Sequence, residues 1–192
     1  EYLVHTKNLV KSLFNLDMKS FLSKSDNTIY LLKRSKAVFY FLKNIGYEKV
    51  DSFIKVPSWI WEDTLFAASL VRGLFDTDGS VSIKKTEIEF CSKGQDLADG
   101  TTNLLLKFGI IPVNKLKYNK KYNRFYHRIY VRGATNLKKF LNNVSFTSIK
   151  KQSRLEKLVD IRGNTNIDVV PHLNKILSEV MKKLSISESE LA

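Results

Sequence analysis

The chain has 192 residues, 43% of them hydrophobic, which is enough for one sizeable folded domain or one and a fraction. Its 32 Lys and Arg against 19 Asp and Glu leave a net charge of +13, and 11% of it is aromatic, the balance of a partner for polyanions, with nucleic acid first. A membrane is disfavoured, since no apolar run approaches the ~20 residues that span a bilayer and no helix pattern joins a basic face to a wide apolar one. The lone cysteine, Cys91, excludes an intrachain disulfide and a thiolate metal cluster, and the opening stretch EYLVHTKN is not a signal peptide; both point to a reducing, cytoplasmic setting.

In chain order, the periodicity predicts helices over about 2–15, 35–45, 59–76, 94–108, 134–143, 148–160 and 170–184. Strands are predicted near about 16–23, 27–33, 80–85, 86–92, 113–119 and 124–132. SKSD (23–26) and NKKYN (119–123) read as hairpin turns, and RGNTN (162–166) as a linker. A repeat runs through this pattern. TKNLVKSLF (6–14) is similar to TTNLLLKF (101–108), and IYLLKRSKAVFYFLKN (29–44) to IYVRGATNLKKFLNN (129–143). Two similarities in the same order, offset by about 95 to 100 residues, argue for a duplicated α/β unit. The second unit opens with a helix and two strands that the first lacks, so the expected organisation is an incomplete first repeat over 1–56, a second repeat over 57–162 and a helical segment over 163–192. In that last segment an amphipathic helix followed by SISES and ESELA reads as the start of a helix-turn-helix or as a helical hairpin without a DNA role.

The stretch LVRGLFDTDGSVSIKK (70–85) breaks several local rules at once. Gly73 sits inside a helical pattern at a cost of about 1 kcal/mol relative to Ala, which a close helix-to-helix approach would explain. Asp76 and Asp78 fall in the last turn, where the dipole disfavours carboxylates by roughly 0.3–1 kcal/mol, and Gly79 fits a left-handed C-terminal cap. A bound divalent cation would reverse the sign of that penalty, whereas a plain D-x-D-G surface turn is the alternative. An EF-hand is excluded, because Gly79 follows Asp76 too closely. After the turn, Val81 and Ile83 alternate with Ser80, Ser82 and Lys84, which predicts one buried and one open strand face.

The segment VNKLKYNKKYNRFYHRIYVR carries Lys115, Lys117, Lys120, Lys121, Arg124, Arg128 and Arg132 and no acid. With Phe125, His127, Ile129 and Val131 turned inward, Tyr126, Arg128, Tyr130 and Arg132 are expected to face out. A two-stranded ribbon of this kind fits the major groove, where some side chains can read base edges while others hold phosphates. The matching ribbon of the first repeat offers Lys19, Ser23, Lys24 and Lys33. His5, His127 and His172 make no ligand spacing, Cys91 reads as a packing residue, and Trp59 and Trp61 as cover for the core.

LVRGLFDTDGSVS resembles the LAGLIDADG (dodecapeptide) motif of homing endonucleases, in the form typical of intein-encoded archaeal enzymes. KVPSWIWE before it, LLLKFGI after it and FTSIKKQSRLEKL further on follow that family's order, over roughly residues 1 to 160. The resemblance implies an α/β (α+β) fold of duplicated αββαββα units with curved antiparallel DNA-binding sheets, the first unit incomplete. It implies site-specific hydrolysis of double-stranded DNA with Mg²⁺ (or Mn²⁺), and two motif helices packed side by side at small residues such as Gly73. Matched position by position, Asp78 is the catalytic and metal-binding acid with Gly79 continuing its turn, while Asp76 helps end the helix. Lys55 of KVPSWI matches one catalytic lysine. The other is Lys151 by the K-x-x-basic-Leu spacing (Lys151, Arg154, Leu155), with Lys150 as the alternative. A second motif helix must then come from another chain or a second copy, and no splicing chemistry is expected, since neither Cys nor Ser stands at position 1 and no His-Asn terminus is present. The rival readings are a DNA- or RNA-binding protein without cleavage, as in maturases, and an inactive remnant of the same fold.

Overall fold

The computed structural model describes residues 2–23, 28–47, 54–160 and 173–184. Residues 1–162 form one compact unit and 163–192 another. In the second unit, α7 spans Leu173–Leu184. Lys24, the SKSD turn beyond Ser23, the RGNTN linker, His172 and the SISES-ESELA tail lie outside the described residues.

The first unit opens with α1 (Tyr2–Phe14), β1 (Lys19–Leu22), β2 (Ile29–Leu32) and α2 (Lys36–Asn44). Asn15 ends α1 in the left-handed region, at φ 51, and its N–H donates to Lys11 O at 2.9 Å. Ser35 starts α2 as an N-cap, accepting from the Val38 N–H at 3.3 Å. The two strands pair antiparallel with Phe21 opposite Tyr30, their rings stacked 5.4 Å apart. No residue of these four elements is buried, and Val4, Leu13, Phe21, Ile29 and Phe39 stay exposed.

The core lies in the rest of the unit. A 3-10 helix (Ser58–Trp61) leads into α3 (Thr64–Asp78), β3 (Gly79–Ser82), β4 (Glu87–Ser92), α4 (Gln95–Lys107), β5 (Val113–Asn119), β6 (Arg124–Arg132), α5 (Ala134–Asn143) and α6 (Ile149–Asp160). The four strands form an antiparallel sheet in the order β3-β4-β6-β5. Strand alternation places Val81, Ile88, Phe90, Ile129 and Val131 on one face, and Ala67, Val71 and Phe75 of α3, Leu104 and Leu105 of α4, Leu137 and Phe140 of α5 and Leu155 and Leu158 of α6 close over it. Phe75 is fully buried, with Phe90 and Phe140 at ring distances of 5.5 and 5.1 Å. The α1–β1–β2–α2 order repeats that of α4–β5–β6–α5, and TKNLVKSLF and TTNLLLKF fall on α1 and α4.

Three local expectations are corrected. The helix expected over 59–76 is broken, because Asp63 accepts from the Leu65 N–H at 2.7 Å and restarts the chain as an N-cap. The first strand after the motif ends at Ser82, and Ile83 and Lys84 lie in the turn before β4, so Ile83 is exposed. Gly79 is extended, at φ −88 and ψ 162, rather than left-handed. α3 runs straight into β3 there, and a Cβ on Gly79 would stand 2.4 Å from Phe75 O and 2.8 Å from Phe75 Cα. The glycine answers a steric demand, because only a residue without Cβ lets the strand leave so close to the last helical turn.

Gly73 is the opposite case, since a Cβ there would meet nothing within 4 Å. Gly79→Ala should therefore lower stability by about 1–3 kcal/mol, a fall of several degrees in Tm, whereas Gly73→Ala should raise it by up to about 1 kcal/mol in the isolated chain. Thermal denaturation of the two variants beside the parent checks both signs.

Candidate nucleic-acid interface

The two acids at the end of α3 have different surroundings. Asp76 is buried, and its Oδ2 and Oδ1 accept from the backbone N–H groups of Thr147 at 3.0 Å and Ser148 at 3.1 Å. Its carboxylate thus caps the N-terminus of α6, where the dipole favours a negative charge, which offsets its unfavourable place at the end of α3. The expectation that Asp76 helps to end its own helix is corrected: it starts another.

Lys151, in the first turn of α6, reaches back the other way. Its Nζ donates to Phe75 O at 2.9 Å, which also accepts from the Gly79 N–H, and to Asp76 O at 2.6 Å, a carbonyl of the last turn of α3. Burial pushes the Lys151 ammonium below the ordinary lysine range, while the charges of Asp76 and Asp78 pull the other way. Lys150 is exposed on the same helix. Tyr2 places the start of α1 at the same corner: burial first, and the Asp76 charge second, raise its phenol above the usual value.

Asp78, the last residue of α3, is exposed. It lines a cleft with Phe90, Cys91, Lys93 and Tyr126 of the sheet side and Ile54 of the segment before the 3-10 helix. Lys55, next to Ile54, turns to Asp96 at the start of α4, with Nζ 3.1 Å from Oδ2, and is 76% exposed. The described residues contain no group of three or more His, Cys, Asp or Glu able to hold a metal. One open carboxylate still fits Mg²⁺, which keeps several waters and is commonly held by one or two carboxylates together with phosphate oxygens.

The outer face of the four-stranded sheet carries Ser80 and Ser82 of β3, Glu87, Glu89 and Cys91 of β4, Tyr126, Arg128, Tyr130 and Arg132 of β6, and Lys115 and Lys117 of β5. The register sets Ser80 beside Glu89, Glu89 beside Tyr130, Glu87 beside Arg132, and Lys115 beside Arg128. Lys115, Lys117, Lys120, Lys121 and Arg124 are all exposed, along β5 and around the tip of the β5–β6 hairpin. Asn119 Oδ1 accepts from the Lys121 N–H at 3.0 Å and shapes that tip. The hairpin runs past the core, so Phe125, expected inside, is 59% exposed, with its ring 5.1 Å from that of Tyr118. In the first ribbon Lys19 and Lys33 are exposed and line one groove with Asp17 and Phe21.

Two features of this face escape a strand-by-strand reading. Tyr130, expected to be open, is only 2% exposed, because Arg132, Lys117 and Arg128 cover its ring at 4.5, 5.4 and 5.8 Å. Glu87 and Glu89, at 2% and 8% exposure, sit among the cations. Glu87 Oε2 accepts from Arg132 Nε at 2.6 Å and lies 2.5 Å from its Nη2, and Glu89 accepts from Arg128 Nε. Partial burial alone would lower the Arg128 guanidinium, but Glu89 outweighs it and raises the pKa. The signal was present in the alternation of E-I-E-F, which puts both acids on the polar face, but their partners lie about 40 residues away and only the β4–β6 pairing brings them together.

A LAGLIDADG-like domain model matches residues 66–145, and a WhiA LAGLIDADG-like domain model matches residues 1–54. The chain carries LAGLIDADG-like domains. Solved structures share this LAGLIDADG fold. I-DmoI in complex with DNA and Ca superposes with a TM-score of 0.57 at 15% identity, over 82% of this chain and 76% of that one. Full-length DUF199/WhiA from Thermatoga maritima superposes with a TM-score of 0.53 at 16% identity, over 93% of this chain and 55% of that one. Among curated proteins of Methanocaldococcus jannaschii, the replication factor C small subunit is 31% identical over 147 residues, which is 76% of this chain and 8% of that protein. The RNA polymerase subunit Rpo1C is 30% identical over 155 residues, 78% of this chain and 17% of that protein. The chain thus spans less than a fifth of the length of these relatives. The WhiA-type match over the first ribbon was not anticipated from the sequence.

Within the LAGLIDADG motif, Asp76→Ala should cost about 2 kcal/mol in denaturant unfolding, because it leaves two half-buried amides at the start of α6 without their charged acceptor. Lys151 sets a pH dependence of definite sign. Its folded pKa lies below the unfolded one, so the unfolded chain binds the extra proton as pH approaches the ordinary lysine value, and this residue's contribution to stability increases with pH there. In unfolding series from about pH 8 to pH 10, Lys151→Met should flatten that rise.

Proposed function

We propose that this chain is the DNA-binding and catalytic part of a site-specific, metal-dependent DNA endonuclease of the LAGLIDADG type. The observation that carries this reading is the division of labour in D-x-D-G: Asp76 is committed to backbone amides, while Asp78 stands open in a cleft between the helix end and the cationic sheet face. Asp78, with Gly79 beside it, would hold a divalent cation, Mg²⁺ or Mn²⁺. Such an ion supplies Lewis-acid stabilisation of the charge on a scissile phosphate. Lys151, anchored and partly desolvated next to both acids, adds a fixed positive charge near the reacting phosphate. Lys55 is carried on the segment that walls the Asp78 cleft, and its exposed pair with Asp96 is weak enough to be exchanged for a phosphate. Lys150 is the alternative to Lys151 from the same helix.

The basic ribbons support a duplex DNA partner, with the exposed hairpin lysines and Arg124 on phosphates and Ser80, Ser82, Tyr126, Arg128 and Arg132 toward the groove. Lys84 in the β3–β4 turn extends that row, and Lys19 and Lys33 continue it on the first ribbon. The open strip on α3 around Gly73, with Leu65 and Phe66 exposed beside it, is where a second motif helix from another chain or a second copy would pack. An intein-type insertion is supported by the matches themselves: one segment of about 150 residues recurs in a replication factor and in an RNA polymerase subunit, as 8% and 17% of their lengths. A segment shared by such different proteins belongs to neither one's own chemistry.

A second reading, DNA binding without cleavage, is favoured by the WhiA-type match over residues 1–54. The two readings separate on supercoiled plasmid carrying uninterrupted genes for the relatives' hosts, with Mg²⁺ and with the metal removed. Metal-dependent nicking or cutting that falls at least about 100-fold in Asp78→Asn, with DNA affinity retained, establishes the endonuclease. Binding with no cutting at any protein concentration establishes the second reading instead.

A further inference from the structure

Glu87 and Glu89 are unexpected on a face built for a polyanion, because a carboxylate there repels phosphate. Both are buried, and each holds one arginine: Glu87 takes Arg132 along its Nε–Nη2 edge, at 2.6 and 2.5 Å, and Glu89 takes Arg128 by Nε. The Tyr130 ring lies between these arginines and supports both guanidinium groups, at 4.5 Å from that of Arg132 and 5.8 Å from that of Arg128. A guanidinium held from two sides keeps few rotamers, and its net charge is cancelled. Yet Arg128 and Arg132 remain 37% and 38% exposed, so part of each donor fork is open to solvent. The hairpin lysines have the opposite character, being exposed and, among the described residues, in no ion pair with an acid.

These two characters suit two tasks. Phosphate binding draws on net positive charge and counterion release, to which a neutralised arginine adds little. Reading a base edge needs a rigid fork of donors with fixed direction, and Arg on guanine O6 and N7 is the commonest such contact. We propose that Arg128 and Arg132 are the base-reading residues of this sheet, each positioned by its glutamate to recognise a guanine in the major groove, with Glu89 and Glu87 as positioning residues and the hairpin lysines as phosphate holders. The assignment rests on the duplex-DNA reading above and adds to it which side chains set specificity. Four residues apart on one strand, at ~3.3 Å per residue, the two arginines stand roughly 13 Å apart, about four base-pair steps.

The test is selection from a randomised duplex library by the full chain and by Arg128→Lys, Arg132→Lys, Glu89→Gln and Lys121→Ala, each first shown to keep its far-UV circular dichroism. The parent is expected to enrich two G·C pairs about four steps apart. Arg128→Lys and Glu89→Gln should both erase the preference at the same one of these positions, and Arg132→Lys at the other. Binding to the parent's selected duplex should then fall by about tenfold, while an unselected duplex is bound by Arg128→Lys within about twofold of the parent and by Glu89→Gln no more weakly. Lys121→Ala should instead weaken all duplexes alike and lower the salt slope by about one. Duplexes retained with no base preference, or a preference untouched by the arginine and glutamate variants, overturn the proposal and make the ion pairs structural only. If the parent retains no duplex at all, the DNA-binding reading itself fails, and the proposal with it.

Discussion

The exchange between the ends of α3 and α6 is the contact on which the rest of the structure depends. Asp76 leaves the C-terminus of α3 to cap α6, and Lys151 leaves the N-terminus of α6 to hold the last carbonyls of α3. Each helix end alone would leave backbone groups unsatisfied next to the core, and each side chain alone would sit at the wrong pole of its own helix dipole. Crossed over, both problems are solved at one corner. The same corner fixes Phe75 against Phe90 and Phe140, and requires a residue without Cβ at Gly79 so that β3 can leave immediately.

That rigidity has a consequence for Asp78. It is two residues beyond Asp76, on a helix end that is tied to α6, and its carboxylate is exposed. The scaffold thus separates a structural acid from an open one within three residues. The sheet treats its charges in a comparable way. Glu87 and Glu89 tie down two arginines beside a covered tyrosine, while the lysines of the hairpin are exposed and, among the described residues, not paired with acids. A charge that must be accurate is paired and partly desolvated, and a charge that only has to attract is left in water.

The two halves of the first unit differ in how far they close. The segment from 57 to 160 buries a full apolar face, whereas α1, β1, β2 and α2 bury none of their residues and leave Phe21, Ile29 and Phe39 in solvent. The repeat that relates the halves is written in strand and helix order, but a core needs both layers, and a ribbon with two helices does not supply the depth.

Much of the fold was legible in the sequence, because it rests on short-range rules. The 2.0 and 3.6 periodicities place β5, β6, α4 and α5 almost to the residue, the internal similarity reveals the duplicated order, and D-x-D-G marks the end of the motif helix. The surface of the hairpin, all cations and no acid, could be read the same way. Only the tertiary structure decided what long-range contacts decide. Asp76 acts on α6, some 70 residues away, and not on its own helix. Gly79 is selected by the Phe75 carbonyl and not by a left-handed turn. Tyr130 is covered because three cations converge on it, and Arg128 and Arg132 lose their free charge to acids on a neighbouring strand. Alternation says which face a side chain takes, but its neighbours on that face are set by strand register and helix packing, and those determine whether a charge is open or spent.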